Sequence, residues 1–234
     1  LLSMLGVGSV FFVAALLRGW AFLRLPLDYD EPVYLRAGFE YARALRAGDW
    51  NGVIDYTANR EHPALVKLLY GLVMLVSGQD TTWAVGLYMT RALSAVLGTL
   101  AVLVLALFNP LAGGLLAVHT MAVKYTGQAY LEALPHLASL GAVLALVRSR
   151  PAGMERSRQV PDAWFWLSAL ALGVTAAGKY TYLPVVFVVL YLAFFVKHVK
   201  WYHLLLYFAV SVATFWLLNP TLWHEPVTRL YNSL

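Results

Sequence analysis

Residues 83–108 read WAVGLYMTRALSAVLGTLAVLVLALF, an apolar run whose one charged side chain is Arg91. About 20 such residues carry a helix across the hydrocarbon core of a bilayer, so the run reads as a transmembrane span. The composition agrees: 61% of the 234 residues are hydrophobic against 12% charged, and mean hydropathy is +0.67. That balance does not describe a soluble surface, and a chain of this length has no room for a large soluble domain beside its spans. Six further apolar stretches, 1–23, 111–125, 129–147, 164–182, 183–199 and 201–218, complete the expected architecture: an all-α polytopic membrane protein of about seven transmembrane helices. The stretches 111–125 and 183–199 are short for a full crossing at about 1.5 Å per residue. The run 64–76 is shorter still, opens after Pro63 and carries Lys67 in its first turn, which predicts a helix lying on the membrane.

The charges orient this arrangement. Seventeen Lys+Arg against twelve Asp+Glu give a net charge of +5, which in a membrane protein reads as retention of cytoplasmic loops. No basic run is interleaved with aromatics, so no nucleic-acid partner is expected. The absence of cysteine excludes disulfides, thiolate metal sites and thiol nucleophiles. With Leu1 first and no charged stretch ahead of the apolar run, no signal peptide is recognisable and the natural start is expected upstream. Seven spans place Arg148, Arg150, Arg156, Arg158, Lys197 and Lys200 on the cytoplasmic side with the amino terminus. The opposite side receives segment 28–82, which holds eight of the twelve acids against five Lys/Arg. It also receives Glu132, Lys179 and segment 219–226. Within 28–82, residues 31–45 predict an amphipathic helix with Pro32 in its first turn and Arg36, Glu40 and Arg43 on its polar side.

Candidate chemistry collects on that outer face. Asp30 and Glu31 emerge directly from the first span, where an ionised carboxylate can take a proton or hold a cation without burial in lipid. The plainer reading is an acidic helix N-terminus, and on these two residues alone it prevails. Glu132 heads an otherwise apolar span, which makes it either a functional acid or, more plainly, the salt-bridge partner of Lys124 or a charge at the helix N-terminus. His62 can order a carboxylate, ligate a metal or meet a phosphate, whereas the neighbouring Lys67 is expected to snorkel to headgroups. Arg18, Arg24, Arg91, Lys124 and Lys179 lie at outer ends of spans and need anions, supplied either by a phosphate ligand or by internal pairing. His224 and Glu225 could join His62 around a divalent metal, although their spacing matches no zinc motif. His119 and His136 are read as hydrogen-bonded core histidines rather than pigment ligands.

Taken in order, Asp30-Glu31, His62-Pro63-Ala64-Leu65-Val66-Lys67, Tyr130-Leu131-Glu132-Ala133-Leu134 and the 173–183 segment GVTAAGKYTYL resemble the GT-C membrane glycosyltransferases, specifically the protein O-mannosyltransferase and aminoarabinose transferase group. The resemblance covers nearly the whole chain. It implies transfer of a sugar from a polyprenyl-phosphate donor to an acceptor on the noncytoplasmic face, with the plasma membrane as the expected location. It also implies that Asp30 is the catalytic base, Glu31 its acidic neighbour and Glu132 the second acid. His62, Lys67, Arg91, Lys124, Lys179 and His224 are the substrate-binding candidates, by position. The second proline of the family motif is Ala64 here, and Glu132 stands where an aspartate is common. Such enzymes continue through further spans, whereas this sequence ends at Leu234. The alternative is therefore a noncatalytic GT-C-like subunit of a membrane protein complex.

Overall fold

The computed structural model describes residues 2–78, 81–149 and 161–233. Over these residues the chain is mostly helical and contains no strand. The order is α1 (Leu2–Arg24), α2 (Glu31–Ala47), α3 (Trp50–Ile54), α4 (Leu65–Val76), α5 (Trp83–Phe108), α6 (Pro110–Val118), α7 (Thr120–Gly127), α8 (Ala133–Arg148), α9 (Ala163–Gly178), α10 (Val185–Tyr191), α11 (Trp201–Leu217) and α12 (Pro226–Tyr231). Helix starts follow local chemistry. Thr82 and Asp162 accept the backbone N–H groups of Val85 and Phe165, and Asn109 accepts those of Leu111 and Ala112. At the other end of α2, Gly48 closes the helix in the left-handed conformation, φ 67°.

Two helices, Leu5–Arg24 and Trp83–Phe108, are long and apolar enough to cross a membrane. The other apolar helices are shorter, and two of the expected spans are broken. Residues 111–125 do not form one helix: α6 ends at Val118, His119 is extended (φ −65°, ψ 114°), and α7 begins at Thr120. The break is stabilised because the His119 ring nitrogen Nδ1 accepts the Ala122 N–H at 3.3 Å, while the buried Arg18 guanidinium reaches the freed Ala117 carbonyl at 3.4 Å. Residues 183–199 form the seven-residue α10 and then a π-helical turn over 192–196, ending at His198 with φ 51°. The expected span at 129–147 begins as a helix only at Ala133. Arg150, Arg156, Arg158 and Asp80, which entered the charge argument, lie outside the described residues.

Three packing units position the site. Helices α1, α5, α6 and α7 pack together, with Ala14, Val102 and Ala117 at their centre. Helices α8, α9, α10 and α11 enclose Ala142, Phe165, Ala169, Val189 and Tyr207. Hydroxyls tie this second unit across its helices. Ser168 donates to the Ala142 carbonyl at 2.6 Å and shares a hydrogen bond with Tyr207 at 2.7 Å, while Ser211 donates to the Ala169 carbonyl at 2.9 Å. The third unit is made by α2 and α4, where Tyr34, Leu35, Val66, Tyr70 and Met74 pack on the 129–131 link between α7 and α8. Exposed apolar side chains ring the molecule, including Phe12, Leu16 and Trp20 of α1, Phe187 of α10 and Leu205 and Val212 of α11.

The α9–α11 contact depends on one missing side chain. A Cβ at Gly173 would stand 2.5 Å from the Ser211 carbonyl oxygen and from Thr214 Cβ. Gly173→Val should force the helices apart and lower stability by about 1–3 kcal/mol. Gly114→Ala, whose added Cβ has its nearest neighbour at 3.7 Å, should not lower the thermal unfolding temperature of the purified protein.

Candidate functional site

Glu31 is fully buried, and it meets Arg91 in a two-pronged ion pair: Nε to Oε1 at 2.7 Å and Nη2 to Oε2 at 2.5 Å. The remaining Arg91 donors go to the carbonyls of Phe22, Leu25 and Pro26 at 3.2, 2.8 and 2.9 Å, so all five guanidinium N–H groups are committed. Glu31 in turn accepts the backbone N–H of Ala129 at 2.7 Å and of Asp28 at 2.9 Å. The pair therefore joins the end of α1, the start of α2, α5 and the α7–α8 link. Sequence position offered Arg91 to a phosphate and Glu31 to proton transfer, but the structure engages both within the protein.

The other cations divide similarly. Lys67 does not snorkel. It is 2% exposed, and its ammonium donates to the carbonyls of Asn59 and His62 at 2.7 and 2.8 Å, pinning the loop ahead of α4. Burial pushes its pKa down to about 8. Lys124 pairs with Asp28 at 2.7 Å near the surface, and this hydrogen bond holds the Asp28 carboxyl below its usual range. Lys179 pairs with Glu132, for which sequence proximity had offered Lys124 as one alternative. His224 lies 3.3 Å from Asp55, which also takes Arg229 at 2.5 Å. His224 thus belongs to the α3–α12 contact and not to the Asp30 cluster.

Three of the predicted residues do converge with Asp30. The Asp30 carboxylate is half-buried at the N-terminus of α2 and has no hydrogen-bond or ion-pair partner among the described residues. One turn on, Tyr34 packs edge-on against His62 and Tyr130, with ring centroids at 5.9 and 6.1 Å. Burial, reinforced by the charges of Asp30 and Glu132, pushes the Tyr34 hydroxyl above its usual range. His62 is held below the usual histidine range by burial and then by the Lys179 and Lys67 ammonium groups, so its ring is neutral at pH 7. Glu132 stands at the head of α8 with Oε1 on Lys179 and Oε2 buried and unpaired. Asp30, His62, Glu132 and Lys179 thus share one end of the helix bundle. Lys197, on the carbonyls of Val147 and Ser149, lies at the other end of α8.

Chemically, this cluster offers a free carboxylate, a neutral imidazole and a carboxylate oriented by an ammonium. Among the described residues no group of three or more His, Asp and Glu side chains is arranged to hold a metal ion, so His62, His224 and Glu225 do not form the divalent-metal site considered from sequence. Sequence reasoning passed over Tyr34 and Asn219. Tyr34 is legible in retrospect as the residue one helical turn after Asp30. Asn219 accepts the Ala64 N–H at 2.9 Å and so fixes the His62-Pro63-Ala64 segment, a contact across 155 positions with no local signal.

Compared with known proteins, the chain matches no family model, no curated protein and no solved structure.

Two outcomes follow from these commitments. Arg91→Met should destabilise the protein by about 3–5 kcal/mol. Adding Glu31→Leu should not restore it, because the carbonyls of Phe22 and Leu25 lose their donor while Pro26 keeps only the Gln128 amide; thermal unfolding of the purified protein measures both. Lys67 titrates near 10.5 when unfolded and near 8 when folded, so between these values the unfolded chain holds the extra proton and stability rises with pH. Lys67→Met should abolish that rise.

Proposed function

We propose that the chain is a polytopic membrane protein that transfers a sugar from a polyprenyl-phosphate donor to an acceptor hydroxyl at the noncytoplasmic face, with Asp30 as the base. The observation that carries the reading is the isolation of Asp30. Among the described acids only Asp30 and the exposed Glu225 lack a side-chain hydrogen bond or ion pair, and Asp30 alone of these two is half-buried beside the His62 and Glu132 cluster. The membrane reading draws on the exposed apolar ring and on how little of the two long helices is covered: 17% of the apolar window in α1 and 39% in α5. A soluble core helix would be mostly buried, and exposed apolar surface on this scale needs lipid or protein to cover it. The charge pattern supports placing the Asp30 end outside, and the plasma membrane is the expected location.

The reaction then proceeds by direct displacement. Asp30 takes the proton of the acceptor hydroxyl, whose oxygen forms the new bond to the anomeric carbon. The bond from that carbon to the phosphate oxygen breaks, and the polyprenyl phosphate leaves with the electron pair, inverting the centre. Of the substrate-binding cations read from the sequence, Lys179, paired with Glu132, and the partly exposed Lys124, paired with Asp28, remain to meet the departing charge, since Arg91 and Lys67 are spent on internal carbonyls and Glu31.

That same internal use of cations favours one other reading, a noncatalytic GT-C-like subunit whose acids and bases hold the fold within a membrane complex. The two part on a single substitution. Asp30→Asn preserves size and removes the base, so sugar transfer by the purified protein should fall by about 100- to 10,000-fold with folding unchanged. A well-folded wild type that transfers nothing across a panel of polyprenyl-phosphate sugars and acceptors would leave the subunit reading in place.

A further inference from the structure

The helices of the second packing unit share one length. Helices α8, α9 and α11 contain 16, 16 and 17 residues, and the run Tyr180–Val196 built around α10 matches them. At about 1.5 Å per residue each covers about 24–26 Å, short of the ~30 Å hydrocarbon core of a typical bilayer. Polar groups close both ends. Glu132 and Asp162 precede α8 and α9, Arg148 and Lys179 end them, and Lys200 and Asn219 flank α11. Contacts between helices put these ends at two common levels. Lys179 meets Glu132 at one level, and at the other Arg148 lies over the Trp164 ring at 4.8 Å while Lys197 donates to the Val147 carbonyl at 2.6 Å. Exposed indoles mark the same levels: Trp164 and Trp201 in the first turns of α9 and α11, and Trp216 in the last turn of α11. Trp201 and Trp216 are separated by about 22 Å along the helix axis, and exposed tryptophans at helix ends sit among lipid headgroups.

The longer α5 obeys the same limit. Its first two turns pack beside α2 and α4: Trp83 stacks on Phe39 at 5.8 Å, and a Cβ at Gly86 would meet Phe39 at 2.8 Å and Met74 at 3.2 Å. Arg91 is then fastened to the Leu25 and Pro26 carbonyls at the end of α1, so the part of α5 that runs beside α1, from Arg91 to Phe108, covers about 27 Å. Helix α1, with 23 residues, is longer, and an over-long helix fits by tilting. A short helix cannot. Its remedies are a thinner bilayer, end groups that snorkel outward, or association. Snorkelling is restricted at both levels, because Lys179 is tied to Glu132 and Lys197 to the carbonyls that end α8. We propose that the α8–α11 face, where Leu167, Phe187, Phe195, Leu205 and Val212 are exposed, fits a bilayer with a hydrocarbon core about 25 Å thick and so selects short-chain lipid. The inference rests on the membrane reading of the chain and is independent of sugar transfer.

The test is thermal unfolding of the full chain, followed by tryptophan fluorescence, in phosphatidylcholine vesicles of increasing chain length: dimyristoleoyl, dipalmitoleoyl, dioleoyl, dieicosenoyl and dierucoyl. The headgroup is the same throughout, so thickness is what changes. The unfolding temperature should be highest in dimyristoleoyl or dipalmitoleoyl bilayers and fall by about 5 °C or more in dierucoyl bilayers, as the mismatch grows by several ångströms. An optimum in dioleoyl or any longer lipid overturns the fit, and so does a temperature that ignores chain length. A flat profile from protein that cross-links as a dimer in every bilayer assigns the α8–α11 face to a second copy of the chain in place of lipid. Carbonate extraction separates the two layers of inference. Protein washed from every vesicle fails the membrane reading itself, whereas protein that stays inserted but is most stable in long-chain lipid fails the thickness alone.

Discussion

The buried pair of Glu31 and Arg91 is the constraint from which the rest of the molecule is arranged. A carboxylate and a guanidinium taken out of water are costly, and the cost is offset only when every lone pair and N–H finds a partner. Here they do: three carbonyls at the end of α1 and two backbone N–H groups, from Asp28 and Ala129, complete the shell. Four chain segments are therefore held at fixed distances from one another. Because Glu31 is immobilised, the backbone of Asp30 is too, and the adjacent carboxylate is presented from a rigid support while remaining unpaired itself. The paired and the unpaired acid are neighbours in sequence with opposite fates.

Much of this is legible in the sequence. The helical class, the helices at the start of segment 28–82 and after Pro63, and the grouping of Asp30, His62, Glu132 and Lys179 at one end all follow from periodicity, proline position and charge distribution. What escaped was pairing. Arg91 stood out as a lone charge in an apolar run, but its partner lies 60 positions earlier, and nothing local distinguishes an arginine awaiting a phosphate from one already satisfied. Lys67 was misread because snorkelling assumes that water or headgroups are the nearest acceptors. The loop carbonyls of Asn59 and His62, folded back over it, are nearer.

The broken helices were hidden for a related reason. Hydropathy sums over residues 111–125 count His119 as one mildly polar residue, whereas its ring acts as a local cap that starts a second helix. Glu132 shows the converse. The sequence marked it as an acid at the head of an apolar helix and offered Lys124 as one partner, because Lys124 is near in the chain, whereas Lys179 is near in space. In each case short-range inference named the unusual residue, and only the three-dimensional arrangement named what it was unusual for.

The contact between Arg18 and Thr126 spans 108 positions at 2.9 Å, and that separation has a consequence for biogenesis. Helix α1 leaves the ribosome long before α7 exists, so its guanidinium emerges with neither the Thr126 hydroxyl nor the Ala117 carbonyl to receive it. The amino-terminal helix therefore cannot reach its final seat in order of synthesis. Its completion must await the α6–α7 pair, and a nascent chain arrested before Thr126 would hold α1 in a different environment from the finished protein.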